Sequence, residues 1–221
     1  WIREDKVSGS TYPAIGSVAS KVLGPVTIAV PPNITLLEET SHSPWYDFEK
    51  PGYLGTAYKS FTPNGQMMKN LKLNISKDRF KKRQNLLRGV DISNIDMKLL
   101  TEESFDVLMS SKLLDALDLS KEDPKTLERY GTGQPYKFQY DGAATDNEKL
   151  LIARRLVQAG ARSITLNYGR WDSHGDNFGL VRDHGPKLDQ CVSALVDDLD
   201  EKGMLDNVTV VVWGEFGRTP K

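Results

Sequence analysis

A chain of 221 residues with 38% hydrophobic content and a formal charge of −1 carries enough apolar material for a sizeable core, and its balanced charge supplies no global field toward nucleic acid or an acidic membrane surface. The single cysteine, Cys191, excludes an internal disulfide framework and any cysteine-based zinc cluster, and no apolar run approaches the ~18 residues that span a bilayer. The sequence starts at Trp1 with no initiator methionine or signal peptide, so it is expected to be a piece of a longer chain.

Residues 1–65 are rich in turn formers, and within them only "PVTIAVPP" reads as a strand, with Val26, Ile28 and Val30 on one side. From Ser76 the pattern turns helical. A basic segment runs to Arg88, a second helix opens at Thr101 with Phe105, Leu108, Met109 and Leu113 on one face, and a short third helix precedes Gly131. Residues 76–130 therefore read as a helical insertion, and the charges from Lys77 to Arg83 as a solvated helix face.

Residues 146–221 are more regular. Asp146 is positioned to cap a helix that carries Leu150, Leu151, Ile152, Leu156 and Val157 and stops at Gly160, after which "RSITLNY" reads as a strand. The next helix is expected near Pro186, with Leu188, Cys191, Val192, Leu195, Val196 and Leu199 on one stripe and Gly203 as its end. "NVTVVVW" then follows as a continuous apolar run of the kind found in strands buried on both faces. This order predicts an α/β layered fold with a largely parallel sheet, in which functional residues sit on loops at the carboxyl ends of strands.

Two such loops carry chemistry. "GRWDSHGDNFG" follows the first strand and places Asp172, His174 and Asp176 at alternate positions, two oxygen donors around one imidazole. That mixture suits zinc, manganese or iron. "GEFGRTP" follows the second strand and adds the carboxylate of Glu215 and the guanidinium fork of Arg218, with Thr219 beside it, suited to a phosphate, sulfate or carboxylate. The same residues also admit a plain structural reading. The Asp172 carboxylate can cap turn amides beside an exposed His174, and Glu215 with Arg218 can form an ion pair. His184 reads as a capping or surface residue before Gly185 and Pro186, His42 as a structural loop residue, Cys191 as a packed thiol, and Trp171 and Trp213 as packing.

Together, "YPAIGSVASKVLGP", "PGYLGTAYKSF", "LLIARRLVQAGARSITLNYGRWDSHGDNF", "LDQCVSALVDDLDEKGML" and "VTVVVWGEFGRTPK" resemble the bacterial family called domain of unknown function 1501, placed with the alkaline phosphatase and sulfatase superfamily. The resemblance covers nearly the whole chain and implies one partial alkaline phosphatase-like domain over 1–221. It implies that Asp172 and His174 match the first metal-binding pair and that Glu215 stands at the second metal position. Better-known members have Asp-His-Gly there, where this chain has Gly214, Glu215, Phe216 and Gly217. An early glycine-rich loop with Ser-His and Asp, and a later Gly-Arg-Asp-His-Trp stretch, do not occur in this sequence, which resembles an interior fragment without the superfamily's nucleophile. Cys191 lacks the Cys-x-Pro/Ala-x-Arg context from which sulfatases make formylglycine.

The resemblance thus implies a hydrolase of phosphate or sulfate esters that uses a divalent metal, zinc or manganese, with Asp172, His174, Glu215 and Asp176 as ligands and Arg218 on the anionic group. It also implies a periplasmic or extracytoplasmic location. Two other readings stand beside it. One is a non-catalytic exported protein that uses the fold to hold a metal or a sulfated glycan; the other is a scaffold whose motif residues only tie loops together.

Overall fold

The computed structural model describes residues 12–37, 49–64, 75–89, 107, 110–137 and 142–214. His42, Thr101, Phe105, Leu108, Met109, Glu215, Arg218 and Thr219 lie outside them. Helix α1 (Ile15–Leu23) buries its small residues Gly16, Ser17 and Ser20. A Cβ on Gly16 would lie 2.2 Å from Asn33 Oδ1, so this glycine is what lets the helix approach the strand beside it. That strand, β1 (Asn33–Thr35), is buried along its length.

The sequence places a strand at "PVTIAVPP", but the chain there is irregular. Val26 and Ile28 are exposed and only Val30 is buried. β-Propensity needs a pleated, half-buried surface to act on, and the ladder begins three residues after Val30, at Asn33.

Among the described residues, three helices can be traced between residues 76 and 130. They are α2 (Lys77–Arg88), capped by Ser76 Oγ on the Arg79 amide, α3 (Lys112–Leu117), and α4 (Pro124–Tyr130), which has proline in its first turn and Gly131 at φ 69° after it. Leu113, expected in a helix opening at Thr101, belongs to the separate α3, since Ser110 and Ser111 are not helical. Strands β2 (Gly133–Lys137) and β3 (Ala144–Asp146) pair antiparallel, with an irregularity between Gln134 and Lys137.

Helix α5 (Glu148–Ala159) begins where the sequence indicates. Asp146 Oδ1 accepts from the Glu148 amide, and Gly160 at φ 117° closes the helix with bonds to Leu156 and Val157 carbonyls. Ala161 and Arg162 lead straight into β4 (Ser163–Thr165), which pairs parallel with β1 in the register Asn33 with Ser163 and Thr35 with Thr165. Phe61 extends the same ladder on the far side of β1 through a parallel bridge to Ile34. The chain is therefore of mixed α/β type with a small parallel sheet.

Helix α6 (Asn177–Glu201) starts nine residues before the expected Pro186, which lies inside it. Proline lacks an amide hydrogen and so reads as a helix start, yet a long helix packed along one face accommodates it at a local cost. Residues 208–213 form no strand. Val211 and Val212 are more than 60% exposed, because among the described residues no strand is hydrogen-bonded to the run. Trp213, expected to pack, is exposed as well.

Among the described residues, two apolar clusters form the core. The first gathers Val30, Ile34, Val107, Leu113, Ala116, Leu156 and Ala161, and the second Tyr130, Leu150, Leu151, Cys191, Ala194, Leu195 and Leu199. Helix α5 supplies residues to both, each fully buried leucine stabilising by roughly 1.5–3 kcal/mol.

A buried ion network closes the seam between α4, α5 and α6. Asp198 is 2.6 Å from Arg154 Nε, 3.3 Å from Lys202 Nζ and 3.5 Å from Arg129, and its other partner is the Tyr130 hydroxyl, which donates to it at 3.2 Å. Glu122 accepts from both Arg154 and Arg155, at 2.6 and 2.7 Å. So many partners are what an ionised group requires once it leaves water.

Candidate functional site

The motif loop leaves the carboxyl end of β4 and is pinned where it begins. Gly169 exchanges backbone bonds with β3 and the residue before it: its amide donates to the Ala144 carbonyl at 3.1 Å, and its carbonyl accepts from Ala143 at 3.3 Å. Gly169 takes φ 67°, and a Cβ on it would lie 2.8 Å from His184 Cδ2, so both conformation and space require glycine there. Trp171 follows, its indole N–H donating to the Tyr168 carbonyl at 2.8 Å.

Asp172 and His174 come next, and their side chains lie together. Nδ1 of His174 is 3.8 Å from Oδ1 of Asp172, and the two side chains are 77% and 73% exposed. Two ligand bonds of ~2.05 Å at a tetrahedral ion would place their donor atoms about 3.3 Å apart, a little closer than the 3.8 Å between these two. The turn between them is set locally. Ser173 donates its amide to the Trp171 carbonyl and its hydroxyl to Asn177 Oδ1 at 2.9 Å, and a Cβ on Gly175 would meet nothing within 4 Å.

Asp176 has a different task. It is the N-cap of α6, in the left-handed region at φ 43°, and its carboxylate accepts from the Gly179 amide at 3.1 Å. Gly179 is required by that cap, since a Cβ on it would lie 2.1 Å from Asp176 Oδ2. A carboxylate at a helix N-terminus also meets the positive end of the helix dipole. The structure thus brings Asp172 and His174 together and commits Asp176 to the helix. Among the described residues no three of histidine, cysteine, aspartate and glutamate converge as a metal-holding group, and Glu215 and Arg218 lie outside those residues.

His184, read from the sequence as a cap or surface residue, is 1% exposed within α6. It meets Trp171 edge to face, with ring centres 5.4 Å apart at 89°, and its Nδ1 is 2.8 Å from Asp183 Oδ2. Lys187 and then His184 hold the Asp183 carboxyl below its ordinary range. The signal for this placement was available. Leu180, His184 and Leu188 stand four apart, and the stripe extends to Cys191 once the helix is started at Asn177.

Cys191 is buried as expected, its thiol pushed up to about 11 by burial. The residues below the loop are also fixed. Tyr168 donates its hydroxyl to Asn147 Oδ1 at 2.6 Å, and Asn147 donates to the Tyr130 carbonyl at 2.8 Å. The loop therefore rests on the polar chain from Tyr168 through Asn147 to Tyr130, with its two candidate ligands turned to solvent.

No curated protein and no solved structure matches the chain. A family model does match, over residues 6–221, and the chain belongs to the family described as Protein of unknown function (DUF1501).

Proposed function

We propose that this chain carries the metal-binding loop of a hydrolase that cleaves phosphate or sulfate esters, on an alkaline phosphatase-like core. The observation that carries the reading is the Asp172 and His174 pair, 3.8 Å apart on a loop at the carboxyl end of a parallel strand. A carboxylate with an imidazole selects zinc or manganese over magnesium and calcium, which prefer oxygen alone. An ion held there would supply Lewis-acid chemistry for an ester oxygen and for the charge that builds during displacement. Asp172 and His174 hold the ion, Glu215 supplies a further carboxylate, and Arg218 binds the anionic group through its planar fork. The Asp176 cap fixes the start of α6 and so fixes the far end of the loop.

The test uses the full-length natural protein. Metal content by elemental analysis and hydrolysis of p-nitrophenyl phosphate and p-nitrophenyl sulfate are measured for the wild type and for His174→Ala. Zinc or manganese in the wild type, and joint loss of metal and hydrolysis in the variant, are expected. Unchanged metal content in the variant removes His174 as a ligand. A wild-type protein that binds metal and hydrolyses neither ester transfers the reading to an exported binding protein for a metal or a sulfated glycan.

A further inference from the structure

The stripe of α6 that faces the core is aliphatic one turn to either side of His184, at Leu180 and Leu188. A leucine at 184 would satisfy packing alone, so the ring has to be explained by what it touches. On one side, its Nδ1 meets Asp183, whose other oxygen accepts from Lys187 at 2.8 Å, so the helix itself sets the plane of the imidazole. On the other side, the Cδ2 edge closes on Gly169 and the ring abuts Trp171 at 89°. Gly169 and Trp171 are both tied to the backbone beneath them, and Asp172 is the next residue along.

From this geometry we infer that His184 is a positioning residue for the Asp172 and His174 pair. It sets the pair's affinity for a divalent transition metal by holding the 169–171 segment in place without touching the ion. The inference rests on the metal reading above and adds a determinant of that site from a different element. Partners hydrogen-bonded to metal ligands cost about 10- to 100-fold in metal affinity when lost, and His184, which acts through Gly169 and Trp171, belongs at or below the lower end of that range.

The experiment is a zinc titration against a chromophoric chelator, on the full-length protein, for the wild type, His184→Ala, His184→Phe and Trp171→Leu. Zinc affinity is expected to fall severalfold, up to about 10-fold, in His184→Ala and in Trp171→Leu, which removes the other half of the ring contact at a partly exposed position. It stays near the wild-type value in His184→Phe, which keeps a ring against Gly169 and Trp171. In the metal-free protein, amide exchange over residues 169–176 speeds up in His184→Ala while α5 is unchanged.

A purely structural histidine lowers the melting temperature of both His184 variants and leaves zinc affinity alone. That outcome overturns the inference and leaves the metal site standing, and so does an equal loss of affinity in the Ala and Phe variants. If His184→Ala does not fold, Trp171→Leu decides in the same way. A wild-type protein that takes up neither zinc nor manganese overturns the metal reading beneath the inference.

Discussion

Cys191 shows how far a single residue's chemistry is set by its surroundings. Its thiol donates to the Leu188 carbonyl at 3.3 Å inside the second cluster, and burial raises it to about 11, so thiolate is scarce at neutral pH. Reaction of the native protein with a thiol reagent at pH 8 is therefore expected to wait on unfolding, with immediate labelling only in denaturant. Rapid native labelling would contradict the packing of α6 described here. The same scale explains what was legible in the motif. Asp172 and His174 were readable because alternate spacing in a glycine-bounded loop keeps two side chains near one another. Asp176 was readable only as a donor, since nothing in the spacing distinguishes a ligand from a cap, and Gly179 three residues on supplies the amide that decides it. His184 was misplaced because Pro186 imitates a helix start.

At the scale of elements, the seam between α4, α5 and α6 responds to acid. Burial pushes the Glu122 carboxyl up, but hydrogen bonds from Arg155 and Arg154 outweigh it and hold the group below its ordinary 4.5. A carboxyl depressed in the folded state stabilises the fold above the unfolded value and loses that contribution as pH falls through the folded one. Urea midpoints measured from pH 7 to pH 3 should therefore drop below about pH 4.5, and Glu122→Gln should flatten that drop while costing about 1–3 kcal/mol at pH 7. An unchanged acid limb in the variant assigns the effect to other carboxyls. Helix α5 was legible to its last residue because local signals agree: an acidic first turn, a single apolar stripe and a glycine with positive φ. The network it joins was not legible, since Glu122 and Asp198 stand 76 residues apart in numbering and meet only through Arg154. The parallel pairing of β1 with β4 was expected in kind and missed in place. Its β1 half is a three-residue "NIT" with no alternation to betray it.

Across the whole molecule, α5 couples the two clusters, so the chain's stability is shared between them and is not partitioned by sequence position. One feature lies outside that sharing, the part of the apolar run 208–213 that continues beyond Val208, which itself packs on the second cluster. "VTVVVW" has no charge, no proline and strong β-propensity, and its valines at 211 and 212 face solvent without a neighbouring strand among the described residues. In concentrated solution such a segment is a template for cross-β stacking, in which each chain completes the hydrogen bonds of the next. The 221-residue chain on its own is therefore expected to scatter light increasingly with concentration and time. Val211→Lys should suppress that growth while leaving the helical signal and the melting temperature in place, because a lysine at this exposed position disturbs stacking and nothing in the core. Equal scattering from both proteins would locate the sticky surface elsewhere. For this chain, colloidal behaviour and thermodynamic stability are thus separately tunable, the first at Val211 and the second at the seam between α4, α5 and α6.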